Sequence, residues 1–297
     1  TQEDLKGIKI DLVEKDKWME NFYGLLTDDQ SMFIKPEFKK SFKAQINFQF
    51  EEFNCLYSAE IKLTGDLQDH IRDGNPNETS LNVSLSEGNI FGIVEFKLFL
   101  PETRYGVGEL IITSILERYN ILTPKTFETN VVFNNSSQNR YIFQEKFVKE
   151  FIESNNYREG PILQVTEDFF WQERNQKDNS ALFMFPEITN SAWSRRSFVN
   201  QHISLDALQH YSSLFFGSSD INNIKVGEVF LTYDSTVVDY DKLIEFDTLM
   251  IALDAVHGLG FVNRNFYFDN INNQLLPIYY DGNSQIADRT HYKNAPI

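Results

Sequence analysis

Apolar and polar positions alternate along much of the first half of the chain. In Gly7-Ile8-Lys9-Ile10-Asp11-Leu12-Val13 the residues Ile8, Ile10 and Leu12 fall on one side, the pattern of a strand with one buried face. Ala44, Ile46, Phe48 and Phe50 repeat it within 43–50, and Ser58-Ala59-Glu60-Ile61-Lys62-Leu63 supplies a third run. In 93–100, Val94, Phe96, Leu98 and Leu100 share one side and Glu95, Lys97 and Phe99 the other, with Pro101 ending the strand. The interval changes in Gly108–Tyr119, where Leu110, Ile111, Ile115 and Leu116 recur at helical spacing. Phe127–Phe133 and Arg140–Gln144 read as strands again, separated by Asn134-Asn135-Ser136-Ser137. A helix carrying Phe147, Val148, Phe151 and Ile152 follows at once.

The second half reads as more helical. Its clearest helix is Asp241–His257, with Leu243, Ile244, Leu249, Leu253 and Val256 on the apolar face and Gly258 as the C-terminal cap. A loop then leads to the short strand Phe266-Tyr267-Phe268. The turn Asp269-Asn270-Ile271-Asn272-Asn273 returns the chain through Leu275–Tyr280 to Asp281-Gly282.

Composition narrows the functional classes. Hydrophobic residues make up 41% of the 297 and aromatics 14%, enough for real cores. The net charge of −16, with no long basic stretch, disfavours binding to nucleic acid or to an anionic membrane. Cys55 is the single cysteine, so neither an internal disulfide nor a multi-cysteine zinc site can form. The five histidines, His70, His202, His210, His257 and His291, lack zinc spacing, and neither a P-loop nor a Gly-x-Ser-x-Gly elbow occurs. Trp171, Trp193 and the Phe169-Phe170 pair read as core. No apolar stretch approaches the length of a membrane-spanning helix, and no signal peptide is visible in a chain that starts at Thr1. A soluble protein is expected, its compartment and oligomeric state left open.

The order of elements carries the chemistry. A strand with Lys97 precedes a helix with Glu109, two strands and another helix. Much later a helix enters a loop ending in Asn265, and a hairpin ends in Asp281-Gly282. That is the order of parts in a protein kinase. Phosphoryl transfer needs cations against the triphosphate and hard oxygens for Mg²⁺ or Mn²⁺. Lys97 would reach phosphate, Glu109 would fix Lys97, and Asn265 and Asp281 would hold the metal. Gly282 would let the backbone turn sharply after the metal ligand. Antiparallel pairing of the hairpin brings the residue before its first strand beside the residue after its second, which gives Asn265 and Asp281 a geometric basis. Each residue also has a structural reading: Lys97 as a solvated strand residue, Glu109 as a helix N-terminal acid, Asn265 as a strand cap and Asp281-Gly282 as a common turn.

Several segments resemble the spore-coat protein H (CotH) kinase family. They are Thr79–Leu85, Phe96-Lys97-Leu98-Phe99, Asn120–Thr126, Phe143–Lys146, Lys149–Asn155, Asn265–Phe268 and Pro277–Asp281. The resemblance implies an α+β, two-lobed, protein-kinase-like fold: an antiparallel-sheet small lobe over residues 1–145 and a mainly helical large lobe over 146–297. It also implies ATP with Mg²⁺ or Mn²⁺ and transfer to hydroxyls of a protein or glycan substrate. Residues 1–57 and 170–240 match nothing.

Two features depart from a kinase pattern. His257 is followed by Gly258 and Leu259, so the usual Asp two residues after the catalytic-loop His is absent. Asp254 and His257, three apart at the expected helix end, are the candidate bases. No glycine-rich phosphate loop exists either, and Thr64-Gly65-Asp66 is the best candidate for a nucleotide-covering turn. Arg104 is a second phosphate candidate or a partner for Glu102, and Glu145 an alternative partner for Lys97. A catalytically inactive kinase-like binding or assembly module is the competing reading. A structural protein of unrelated topology is a third.

Overall fold

The computed structural model describes residues 4–28, 33–165, 186–216 and 236–287. The chain divides into two compact units. The first takes the chain up to Gly106 together with Lys125–Lys146; the second takes Val107–Pro124 and everything from Phe147 on.

Seven strands build the first unit: β1 (Leu5–Leu12), β2 (Phe42–Phe50), β3 (Asn54–Leu63), β4 (Leu81–Leu85), β5 (Glu95–Phe99), β6 (Thr126–Phe133) and β7 (Asn139–Glu145). They close into a barrel in the order β1-β2-β3-β4-β5-β7-β6. Neighbours pair antiparallel except at the seam, where β1 runs parallel to β6 with Ile8 opposite Val131 and Ile10 opposite Phe133. The alternation in the sequence becomes inside and outside. Ile8, Ile10, Ala44, Ile46, Phe48, Ile61, Val83, Phe96, Leu98, Val131 and Phe143 fill one core. Phe143 stacks between Phe96 (4.3 Å) and Phe127 (4.5 Å). Helix α1 (Lys15–Leu26) adds Trp18, Phe22 and Leu25 to that core, at helical spacing within 15–26. Trp18 meets Phe42 and Phe133 edge-on at 5.4 and 5.6 Å, and its Nε1 donates to the Pro76 carbonyl (3.1 Å).

The second unit contains α2 (Val107–Arg118), α3 (Lys149–Ser154), α4 (Ser191–Ser194), α5 (Phe198–Phe216), α6 (Tyr240–Ala252) and a four-stranded sheet. Its strands are β8 (Ile162–Val165), β9 (Pro186–Ile188), β10 (Asn265–Asp269) and β11 (Gln274–Ile278), in the order β11-β10-β8-β9. Leu163, Val165, Phe266, Phe268 and Leu275 of the sheet share a core with Ala207, Tyr211 and Leu214 of α5.

This architecture overturns the kinase-like expectation of an antiparallel small lobe and a mainly helical large lobe. A closed, mixed barrel of seven strands forms. Among the described residues the chain is mostly strands and short helices, eleven strands against six α-helices. The physical reason is the seam. Alternation tells which face of β1 is buried but not which strands flank it, and β1 takes β2 on one edge and β6 on the other. Helix α2 groups with the second unit. Trp193 is buried, as expected of core; Trp171, Phe169, Phe170 and His291 lie outside the described residues.

Trp18→Ala removes an edge-packed indole at full burial. It is expected to cost about 3–5 kcal/mol of stability, read as a fall in the urea midpoint with the m-value unchanged.

Candidate functional site

In the first unit, Lys97 sits mid-strand on the outer side of β5. The register sets Lys62, Asn82, Lys97 and Gln144 side by side across four adjacent strands. Glu145 faces Phe96 across the ladder, so Gln144 shares the side of Lys97; the Glu145 carboxylate accepts the Lys125 backbone N–H at 3.2 Å. The buried Phe99 ring, two residues beyond Lys97, has the Lys97 ammonium 5.5 Å and the Arg104 guanidinium 4.1 Å from its centroid. Glu102 takes Arg72 through both oxygens.

His70 packs its ring 5.8 Å from Phe99. Burial, then the nearby Arg104, pushes its imidazolium down to about pKa 3; Asp66 opposes this, and Lys97 and Lys39 add to it. Lys62 is likewise lowered, first by burial and then by Lys146. Cations are therefore concentrated on one part of an otherwise acidic chain.

The turn Thr64-Gly65-Asp66 is shaped by its local contacts. Gly65 adopts φ +91°, and a Cβ there would lie 2.0 Å from the His70 ring. Asp66 pairs with Lys39 at 2.7 Å.

In the second unit, the hairpin sets Asn265 opposite Ile278, three residues before Asp281. Asn265 is buried; its Nδ2 donates to the Asn263 carbonyl (3.3 Å), and its Oδ1 meets no donor among the described residues. Asn263 Nδ2 in turn donates to the His257 carbonyl (3.0 Å), and His257 Nε2 lies 4.0 Å from Asp281 Oδ2. One loop thus joins Asn265, His257 and Asp281. Arg264 clamps it: Nη1 and Nη2 donate to the two Asp247 oxygens at 2.9 and 3.0 Å, and Nε donates to the Leu259 carbonyl.

The candidate bases end up apart from the expected arrangement. Helix α6 stops at Ala252, because Asp254 takes the left-handed conformation (φ 52°) and closes a Schellman motif. The Ala255 N–H reaches the Met250 carbonyl at 2.8 Å and the Asp254 N–H reaches Ile251 at 3.2 Å. Asp254 thus does the capping expected of Gly258, and it shares no helical turn with His257. Gly258 lacks a side chain for another reason: a Cβ would meet Met250 Cε at 2.5 Å and the Tyr280 carbonyl at 2.8 Å. The turn after the hairpin is made by Asp281 (φ 45°) and Asn283 (φ 48°), not by Gly282, which is crowded by Ala255 and the Tyr279 hydroxyl.

Glu109, in the first turn of α2, is fully buried and accepts a 2.5 Å hydrogen bond from the Tyr279 hydroxyl. Tyr279 was not singled out by sequence reasoning, and neither were Lys62, Asn82, His70 and Asn263. The alternation in 58–63 is enough to place Lys62 on the outer face.

No protein-family model and no curated protein matches this chain. Among the described residues, no group of three or more His, Cys, Asp or Glu is arranged to hold a metal ion, and no helix is long and apolar enough to cross a membrane.

Two outcomes follow from these contacts. Arg264→Ala leaves the half-buried Asp247 carboxylate without its bidentate partner and is expected to cost about 1.5–3 kcal/mol in chemical denaturation. His70 is held neutral in the fold, whereas the unfolded chain takes up a proton below about pH 6.5. Its contribution is therefore complete above that pH and is lost as pH falls. From about pH 6.5 to about pH 5, the wild type is expected to lose about 2 kcal/mol more than His70→Gln, compared by urea unfolding at each pH.

Proposed function

We propose that the chain is a metal-dependent phosphotransferase that moves the γ-phosphoryl group of ATP to a hydroxyl of a protein or glycan. The observation that carries this reading is the buried Asn265 Oδ1, an acceptor without a donor among the described residues, at the start of β10, directly after the loop that brings His257 to Asp281. A buried oxygen without a donor is costly unless a cation or ligand meets it. The donor chemistry fits a hard divalent ion: one carboxamide oxygen from Asn265 and carboxylate oxygen from Asp281, with the remaining ligands coming from phosphate and water. Mg²⁺ or Mn²⁺ held there would neutralise charge building on the transferred group.

The protein's own residues have separate tasks in this reading. The substrate hydroxyl oxygen forms a bond to the γ-phosphorus, the bond from that phosphorus to the bridging oxygen breaks, and ADP leaves. The hydroxyl proton passes to a base, for which His257, beside Asp281, is better placed than Asp254, whose backbone is committed to ending α6.

A second reading, a binding or assembly module without transfer, is favoured by Gly65. The turn that would cover a nucleotide is occupied with packing against His70.

Calorimetry with ATP and Mg²⁺ tests the metal role: Asp281→Asn, which tolerates the left-handed backbone, is expected to lose most metal-dependent ATP binding while its unfolding midpoint stays near that of the wild type. Unchanged affinity removes Asp281 from the site. Radiolabel transfer to a generic protein then separates the two readings, with His257→Ala expected to bind nucleotide but transfer at least tenfold more slowly.

A further inference from the structure

Tyr279 is completely buried, one residue beyond β11 and two before Asp281. A phenol has one proton to donate and lone pairs with which to accept. Here the proton goes to Glu109 Oε2 at 2.5 Å, and the oxygen accepts the backbone N–H of Gly282 at 3.2 Å.

The Gly282 amide belongs to the peptide unit that follows Asp281, a residue in the left-handed region at φ 45°. A non-glycine residue adopts that conformation at a cost and keeps it when its surroundings fix it. The surroundings are specific. Ser284 Oγ donates to the Leu253 carbonyl at the end of α6 (2.6 Å). A Cβ on Gly108 would come within 2.3 Å of the Ser284 carbonyl, so the first turn of α2 lies directly on this segment. Of these contacts, the Tyr279 hydroxyl is the one that grips the peptide next to Asp281.

From this geometry we infer that Tyr279 is a positioning residue. Its hydroxyl, oriented by Glu109, fixes the Asp281–Gly282 peptide and thereby the direction of the Asp281 carboxylate. The inference rests on the reading of Asp281 as a metal ligand. Glu109 acts on the Asp281 turn through a phenol. Outer groups of this kind that orient a metal ligand typically change affinity by about 10–100-fold when removed.

The test uses the full chain. Labelling Asp with ¹³C at the carbonyl and Gly with ¹⁵N selects Asp–Gly peptides, of which the sequence has two, Asp73-Gly74 and Asp281-Gly282. In Tyr279→Phe the Gly282 amide proton signal is expected to move upfield while that of Gly74 stays, and Mn²⁺·ATP affinity is expected to fall about 10–100-fold. Glu109→Gln keeps an acceptor for the phenol and is expected to leave the Gly282 signal near its wild-type position, which guards against a variant that fails to fold. An unmoved Gly282 signal in Tyr279→Phe overturns the inference. So does a moved signal with Mn²⁺·ATP affinity within about twofold of wild type, which would leave Tyr279 as core. A wild-type protein that binds no Mn²⁺·ATP removes the metal reading. The Gly282 signal then decides by itself whether the phenol fixes the turn.

Discussion

Closure of the barrel depends on β1 finding a partner on each edge. A sheet of six antiparallel strands would present β6 as an open row of peptide groups; the parallel seam with β1 satisfies it. Asn134 extends the seam beyond the last strand pair. Its N–H donates to the Ile10 carbonyl (2.8 Å), and its side-chain oxygen accepts from the Leu12 N–H (3.0 Å). Closure then fixes what each alternating position means. Inward residues become a single aromatic-rich core, and outward residues become a wall on which Lys62, Asn82, Lys97 and Gln144 stand in one row.

In the second unit, backbone conformation does comparable work. Asp254, Asp281 and Asn283 all sit in the left-handed region, and short polar side chains tolerate it better than most. The first ends α6 early enough for the chain to form the loop 255–263. The others shape the segment after the hairpin. Arg264 holds that loop through Asp247 and Leu259, and the Tyr279 hydroxyl holds the peptide beside Asp281. Glycines at 258 and 282 are there because neighbours leave no room for a Cβ. The loop is therefore defined by close packing and by a few directed hydrogen bonds.

By itself the sequence determined where several of the strands lie and which faces they bury. Alternation in 7–13, 43–50 and 58–63 marks β1, β2 and β3. The turn-rich 269–273 between apolar runs marks the β10–β11 hairpin, whose pairing follows from short-range geometry. The candidate site residues Asn265 and Asp281 were legible for the same reason, since a hairpin relates its two ends locally. Tertiary structure decided what depends on distant partners. No periodicity states that β1 pairs with β6, more than a hundred residues away in the chain, and that pairing turned an expected open small lobe into a closed barrel. The helix expected over 241–257 stops at Ala252 because Asp254 substitutes for glycine in a Schellman motif, an exchange that the apolar pattern does not register. Tyr279 read as one more apolar strand residue until Glu109, 170 positions away, gave its hydroxyl a partner. Period and turn chemistry act over a few residues and are written locally; strand partners and buried polar bonds join residues that the sequence separates, so folding alone brings them together.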